Sequence, residues 1–168
     1  MPTRRQFLKM GLLGGTVLAA AGGGLWLAGR DVKPYGPEGR AVIRAIAPAV
    51  LAGAIPAGGA SREAAIASVV EGVGIAIAGL SPPQQKELAD LFGLLDLAPA
   101  RRWLAGVAAP WSECTAEDAA AFLQRWRHSS VGLLAGAYAG LHDLVLGAWY
   151  SGEAAWDTIA YPGPPRLP

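Results

Sequence analysis

The sequence predicts an all-α protein, a small bundle of five to six helices preceded by an N-terminal signal or anchor helix. Three observations carry this. Apolar residues recur at the 3.6-residue period between Pro- and Gly-rich breaks. Alternation of the strand type persists for five residues nowhere. Two segments, Ser81-Pro82-Pro83-Gln84 and Thr115-Ala116-Glu117-Asp118, carry the signature of a helix start, in which a hydroxyl accepts from a free backbone N–H of the first turn. The chain divides into residues 1–30 (leader), 31–39 (linker) and 40–168 (helical domain).

The leader begins Met1-Pro2-Thr3-Arg4-Arg5-Gln6-Phe7-Leu8-Lys9 and runs into an apolar stretch, Gly11–Gly29, closed by Arg30. Paired arginines followed by Phe7, Leu8 and Lys9 match every position of the twin-arginine export pattern [ST]-R-R-x-F-L-K. Two guanidinium forks suit a carboxylate-lined receptor pocket. Seven Gly and four Ala among the 19 residues that follow keep the stretch only weakly hydrophobic. Ala19–Ala21 is the one neat A-x-A cleavage site, and it leaves a short apolar run before the cut. Nineteen helical residues span about 28 Å, roughly one hydrocarbon core. Cleavage, and retention of residues 11–29 as an inner-membrane anchor, are therefore both open. Pro34 and Pro37 predict an extended linker.

Residues 39–54 place Val42, Ile43, Ile46, Val50 and Leu51 on one helical face, with a kink expected at Pro48. After the break Pro56–Ala60, Ser61 is the expected cap of a helix whose apolar face is Ile66, Val69, Val70, Val73, Ile77 and Leu80. Gly72, Gly74, Ala76 and Gly79 on it invite close approach of another backbone. The helix after Ser81 is expected to bury Leu88, Leu91, Phe92 and Leu95, and Asp96–Pro99 to turn. A short helical turn follows at 100–107, and a break at Pro110-Trp111-Ser112. The next helix runs from Thr115 to about Arg127 with Phe122, Leu123 and Trp126 inward. Ser129 and Ser130 precede a long helix, Val131–Tyr150, in which Gly132, Gly136 and Gly140 recur at spacing four and predict a close-packing face. His142-Asp143 inside it argues for a core helix with a polar edge rather than a lone membrane span. A short turn, Ser151–Trp156, and an extended Tyr161–Pro165 close the chain.

Composition narrows the function. Hydrophobic residues make up 52% and charged residues 16% of the 168, which excludes a disordered chain. Four of the 14 basic residues and no acid lie in residues 1–30, leaving ten basic against 13 acidic, or −3, in the remainder. The overall +1 gives no electrostatic footprint for nucleic acid. One cysteine and two histidines leave little material for catalysis. Cys114 precedes a helix start, where the dipole would favour its thiolate. His128 and His142 form no metal-ligand pattern, and adjacent His142 and Asp143 are expected to diverge on a helix. Arg101-Arg102 reads as a solvated face. Of six tryptophans, five lie in the body. They either fill the core or, with Tyr150 and Tyr161, anchor a partner, since Trp and Tyr are enriched in interface hot spots. The partner-facing set is Trp126, Trp149, Tyr150, Trp156, Tyr161 and Pro162.

Taken together, the leader, the Pro-rich linker, Ser81-Pro82-x-x-Gln85, Phe122-Leu123-x-Arg125-Trp126, Ala148-Trp149-Tyr150, Ala155-Trp156 and Tyr161-Pro162-Gly163 give a recognisable pattern. It resembles the small (gamma) subunits of bacterial membrane-bound FAD-dependent sugar and alcohol dehydrogenases, the gluconate 2-dehydrogenase subunit 3 type. The resemblance implies a non-catalytic accessory subunit with no cofactor of its own. FAD would sit in a large glucose–methanol–choline (GMC) type partner that lacks an export signal and leaves the cytoplasm bound to this chain through the twin-arginine translocase. Electrons would pass on to a cytochrome c subunit. The expected location is the periplasm, free or anchored to the inner membrane. The alternatives from the residues alone are a free-standing, membrane-anchored periplasmic binding domain and a small enzyme using Cys114 or His142.

Overall fold

The computed structural model describes residues 33–156 and 161–162, and the regular elements among these are all helical, without strands. The leader, with Arg4, Arg5, Phe7, Leu8, Lys9 and the apolar run 11–29, lies outside the described residues. The elements are α1 (Pro37–Val50), α2 (Gly59–Ala78), α3 (Pro82–Asp96), a single turn α4 (Ala98–Ala100) that continues as a π-type turn over Arg101–Ala105, a 3-10 turn (Trp111–Glu113), α5 (Ala116–Arg127), α6 (Gly132–Tyr150) and a short α7 (Glu153–Trp156). Among them no helix is long and apolar enough to cross a membrane.

The central helix is α1, which packs against α2, α3, α5 and α6 together. Its residues Val42, Ile43, Ile46 and Ala47 are fully buried. It starts at Pro37, inside the segment expected to be linker, because Pro at the first helical position loses no bond and its ring presets φ. The rest of that segment is docked rather than free. Tyr35 packs its ring 5.9 Å from that of Phe92, and its hydroxyl donates to Val70 O at 3.1 Å. Burial pushes the Tyr35 hydroxyl pKa above its ordinary value, Arg40 opposes this and Glu71 adds to it. Pro48 lies within the last turn, and α1 ends at Val50, short of the expected residue 54. Leu51 and Ile55 then turn inward to the core.

The helix α2 begins two residues before the expected Ser61 cap, with Gly58 in the cap position. Glu63, beyond the first turn of the helix so placed, pairs with Arg44 at 2.7 Å. The expected face holds from Ile66 through Val69, Val70 and Val73 to Ile77, all buried, whereas Leu80 falls beyond the helix end at Ala78 and is half-buried. Close approach occurs at Gly72. A Cβ there would lie 3.1 Å from Ala148 Cβ and 3.4 Å from its Cα, so glycine lets α2 and α6 touch. Gly74 similarly leaves room for the Tyr35 ring. The expectation for Gly132, Gly136 and Gly140 fails. All three are exposed, and a Cβ on Gly136 or Gly140 would meet nothing within 4 Å. The face of α6 that packs is set by Leu141, Val145 and Trp149.

The start of α3 is as read. Gln84 Oε1 accepts from the Ser81 backbone N–H at 3.1 Å, the reach-back half of a capping box. Gln85 Nε2 donates to Ala78 O and Leu80 O, tying α3 to the end of α2. Phe92 and Leu95 are buried, whereas Leu88 and Leu91 are half-buried at the edge. Thr115 Oγ1 accepts from the Asp118 N–H at 3.1 Å and caps α5 as expected. Ser129 Oγ accepts from the Val131 N–H at 3.1 Å, one step ahead of α6.

Candidate functional site

The six residues expected to face a partner separate into two groups. Trp126 and Trp149 are buried within the chain's own core. For these two the core-filling alternative holds, because their surface is already covered. Trp126 belongs to an aromatic column. Its ring is 4.7 Å from Phe122, whose ring is 5.5 Å from Trp111, both edge-on as ring quadrupoles prefer. The indole N–H of Trp111 donates to Leu95 O and that of Trp126 to Leu104 O, each at 2.9 Å. Trp149 Nε1, by contrast, is buried with no acceptor among the described residues.

Tyr150, Tyr161 and Pro162 are exposed, and Trp156 is half-buried. Two of these come together. The Tyr161 ring stands edge-on to Trp156, 5.5 Å away, and its N–H donates to Trp156 O at 2.9 Å. This tail pair is remote in sequence from the Trp126 column and shares no ring contact with it.

The residue missed in the sequence is Trp103. It is 86% exposed, the most open large apolar side chain among those described. It sits on the π-type turn, flanked by exposed Leu97 and Leu104. The turn is tied down at several points. Arg101 N–H donates to Leu97 O, Val107 N–H to Arg101 O, and Arg125 Nη1 to Ala105 O at 2.6 Å. It ends at Gly106 with φ +66, the left-handed cap that favours glycine. A helical wheel over so short a segment cannot separate inward from outward positions, and π-type winding shifts every side chain from its 3.6-residue place. The neighbouring Arg101-Arg102 pair splits. Arg102 is exposed, but Arg101 is only 8% exposed and donates through Nη1 to Asp96 O at 3.0 Å, with its Nε unpartnered.

The candidates for chemistry are as follows. Burial pushes the Cys114 thiol pKa up, and the Asp118 carboxylate pushes it the same way, reversing the expected help from the helix start. We expect Cys114 to alkylate more slowly than a free cysteine at neutral pH, with its rate rising only above the ordinary thiol pKa. A pH–rate profile with iodoacetamide checks this, and a fast neutral reaction would contradict it. His142 Nδ1 lies 3.5 Å from Asp143 Oδ1, so the two side chains meet although they are sequence neighbours. The imidazole also lies 5.4 Å from the Tyr138 ring, at the edge of the core. No three His, Cys, Asp or Glu side chains among the described residues are grouped to hold a metal.

Comparison with protein-family models, with curated proteins and with solved structures gave no match.

Proposed function

We propose that this chain is a non-catalytic accessory subunit that escorts a folded, FAD-dependent GMC-type dehydrogenase through the twin-arginine route and stabilises it in the periplasm. The observation that carries the reading is the segment Thr3–Lys9, which matches the export pattern position by position. A receptor that reads this leader passes folded cargo, so a partner without a leader of its own leaves with the chain that has one. The low count of Cys and His supports placing the redox chemistry in the partner, where FAD would be held and from which a cytochrome c subunit would draw electrons. The apolar run 11–29 would hold the complex at the inner membrane where it is not cleaved.

The test is the double change Arg4→Lys with Arg5→Lys. Lysine keeps the charge but lacks the planar fork. The expected result is that both this chain and the dehydrogenase stay in the cytoplasm, read by fractionation and by periplasmic dehydrogenase activity. A dehydrogenase that still reaches the periplasm overturns the escort reading. It would favour the alternative of a free-standing periplasmic binding domain, which the closed core around α1 would suit.

A further inference from the structure

The two longest helices described, α2 and α6, are apolar on nearly every side. From Gly72 to Ala78 α2 has no charged residue, and α6 has one, Asp143, with His142 beside it. A helix that is apolar all round is normally covered all round. Here one side of each helix is buried and the other is open. On α2 the open side carries Ala64, Ser68 and Ile75, the last 76% exposed. On α6 it carries Gly136, Gly140 and Gly147, where a Cβ would meet nothing within 4 Å. The helices touch where Gly72 meets Ala148. By the 3.6-residue period, both stripes fall on the side of that contact away from the buried faces. They form the two walls of one open face, each wall about 16 Å long. Its polar groups are already occupied or lie at its margin. Ser68 Oγ donates to Ala65 O at 2.8 Å, Glu71 is paired with Arg40, and Asp143 is further round α6, away from α2. Exposed apolar side chains elsewhere, at Leu97, Trp103, Leu104 and Val131, sit on turns and caps and form no such stripe.

The chain's own leader fits this face in length, chemistry and reach. The run Gly11–Gly29 is 19 uncharged residues, about 28 Å when wound as a helix, long enough to cover both walls. Leu12, Leu13, Leu18, Leu25 and Trp26 supply the bulk that the glycine wall lacks. The attachment is short. Tyr35 is held on α2 by its bond to Val70 O and by the room left at Gly74. Arg30 precedes Tyr35 by five residues, at most about 18 Å of chain. That length passes half-way round a helix about 10–12 Å across and brings the end of the run beside Ile75, the residue after Gly74. So short a tether raises the local concentration of the run enough for weak docking to hold it. In a folded chain that has not reached a membrane, the run and the face would each meet water. Docking removes both apolar surfaces from water at once.

We propose that residues 11–29 of the folded chain dock on the open face of α2 and α6 until the leader is taken up by the membrane. The run lies over Ala64, Ser68 and Ile75 on one side and Gly136, Gly140 and Gly147 on the other. Its register is set by the tether, with Leu25 near Ile75 and Leu13 near Ala64, eleven to twelve residues further back on each. Arg4 and Arg5 precede the docked run and stay free for a receptor, which draws the run off the face when it binds them. That release step rests on the twin-arginine reading above. The docking itself rests on the face, the length of the run and the shortness of the tether.

The experiment uses the full chain in the cytoplasm of its producing cells, with Cys114→Ser so that introduced cysteines are the only ones. Two pairs match the proposed register, Leu25→Cys with Ile75→Cys and Leu13→Cys with Ala64→Cys. Two exchanged pairs, Leu25→Cys with Ala64→Cys and Leu13→Cys with Ile75→Cys, are the controls. A short bismaleimide is added to the cells, and links within one chain are separated from links between chains by mass. The expected result is linkage within one chain for the matched pairs and little for the exchanged pairs. Gly136→Leu, Gly140→Leu and Gly147→Leu, made one at a time, fill the glycine wall from outside, where the chain's own fold leaves space. Each should lower the matched linkage about ten-fold, because a bulky group then stands where the run packs. Helical circular dichroism shows which of the three keep the native fold, and those are the ones read. Equal linkage for matched and exchanged pairs, or linkage that survives the filled wall, means random collision along the tether and overturns the docking. Linkage between chains means that a second copy covers the face and overturns it too, as does the absence of any link. None of these outcomes touches the escort reading, which stands or falls on where the dehydrogenase goes after Arg4→Lys with Arg5→Lys.

Discussion

Trp126→Ala is expected to lower unfolding free energy by about 3–5 kcal/mol from lost burial and the cavity left behind. Two further losses add to it. The edge-on contact with Phe122 at 4.7 Å contributes about 0.5–1.5 kcal/mol beyond burial. The bond from the indole N–H to Leu104 O contributes about 1 kcal/mol. A domain of this size has about 5–15 kcal/mol in total, so the variant should lose much of its margin. Trp126→Phe keeps an aromatic ring in the column and gives up the hydrogen bond, at about 1–2 kcal/mol. Urea unfolding followed by helical circular dichroism separates the two. Equal, small shifts for both variants would mean that the column is not where the core is held. The same bond also connects α5 to the π-type turn, so Trp126→Phe should loosen the presentation of Trp103 before it threatens the fold.

Gly106→Ala is expected to cost about 2–5 kcal/mol, a large effect for one methyl group. Two causes act together. At φ +66 a side chain meets its own backbone, for about 1–2 kcal/mol. The added Cβ would also collide with the Arg125 guanidinium. Arg125 would have to leave Ala105 O, losing a charge-assisted bond of about 1.5–3 kcal/mol. The two causes can be separated by a double-mutant cycle with Arg125→Ala. In that background the collision is gone, so Gly106→Ala should retain only the backbone part. Strict additivity in the cycle would contradict the contact.

Much of this fold could be read along the chain because its signals are local. The capping interactions of Ser81–Gln84 and Thr115–Asp118 involve residues three apart, and both are present. The apolar face of α2 follows one period over about three turns, from Ile66 to Ile77, and over that stretch it is buried as read. Readings failed where the outcome depended on a neighbour from elsewhere. The spacing of Gly72 and that of Gly136 look alike in sequence, yet Ala148 lies against one and open space against the other. Cys114 was placed by its helix start, whereas its thiol answers to burial and to Asp118.

By itself the sequence determined the all-helical class, most helix starts, the charge division at Arg30 and the leader pattern on which the escort proposal stands. These are properties of composition and short spacing, which tertiary contacts do not alter. Only the tertiary structure decided which aromatics are covered. Trp126 and Trp149 went into the core and Trp103 went outside, because burial is settled by what packs on a side chain and not by its hydrophobicity. The same holds for Arg101 and Arg102. They are neighbours of identical chemistry, and the π-type turn sends one inward and the other to solvent.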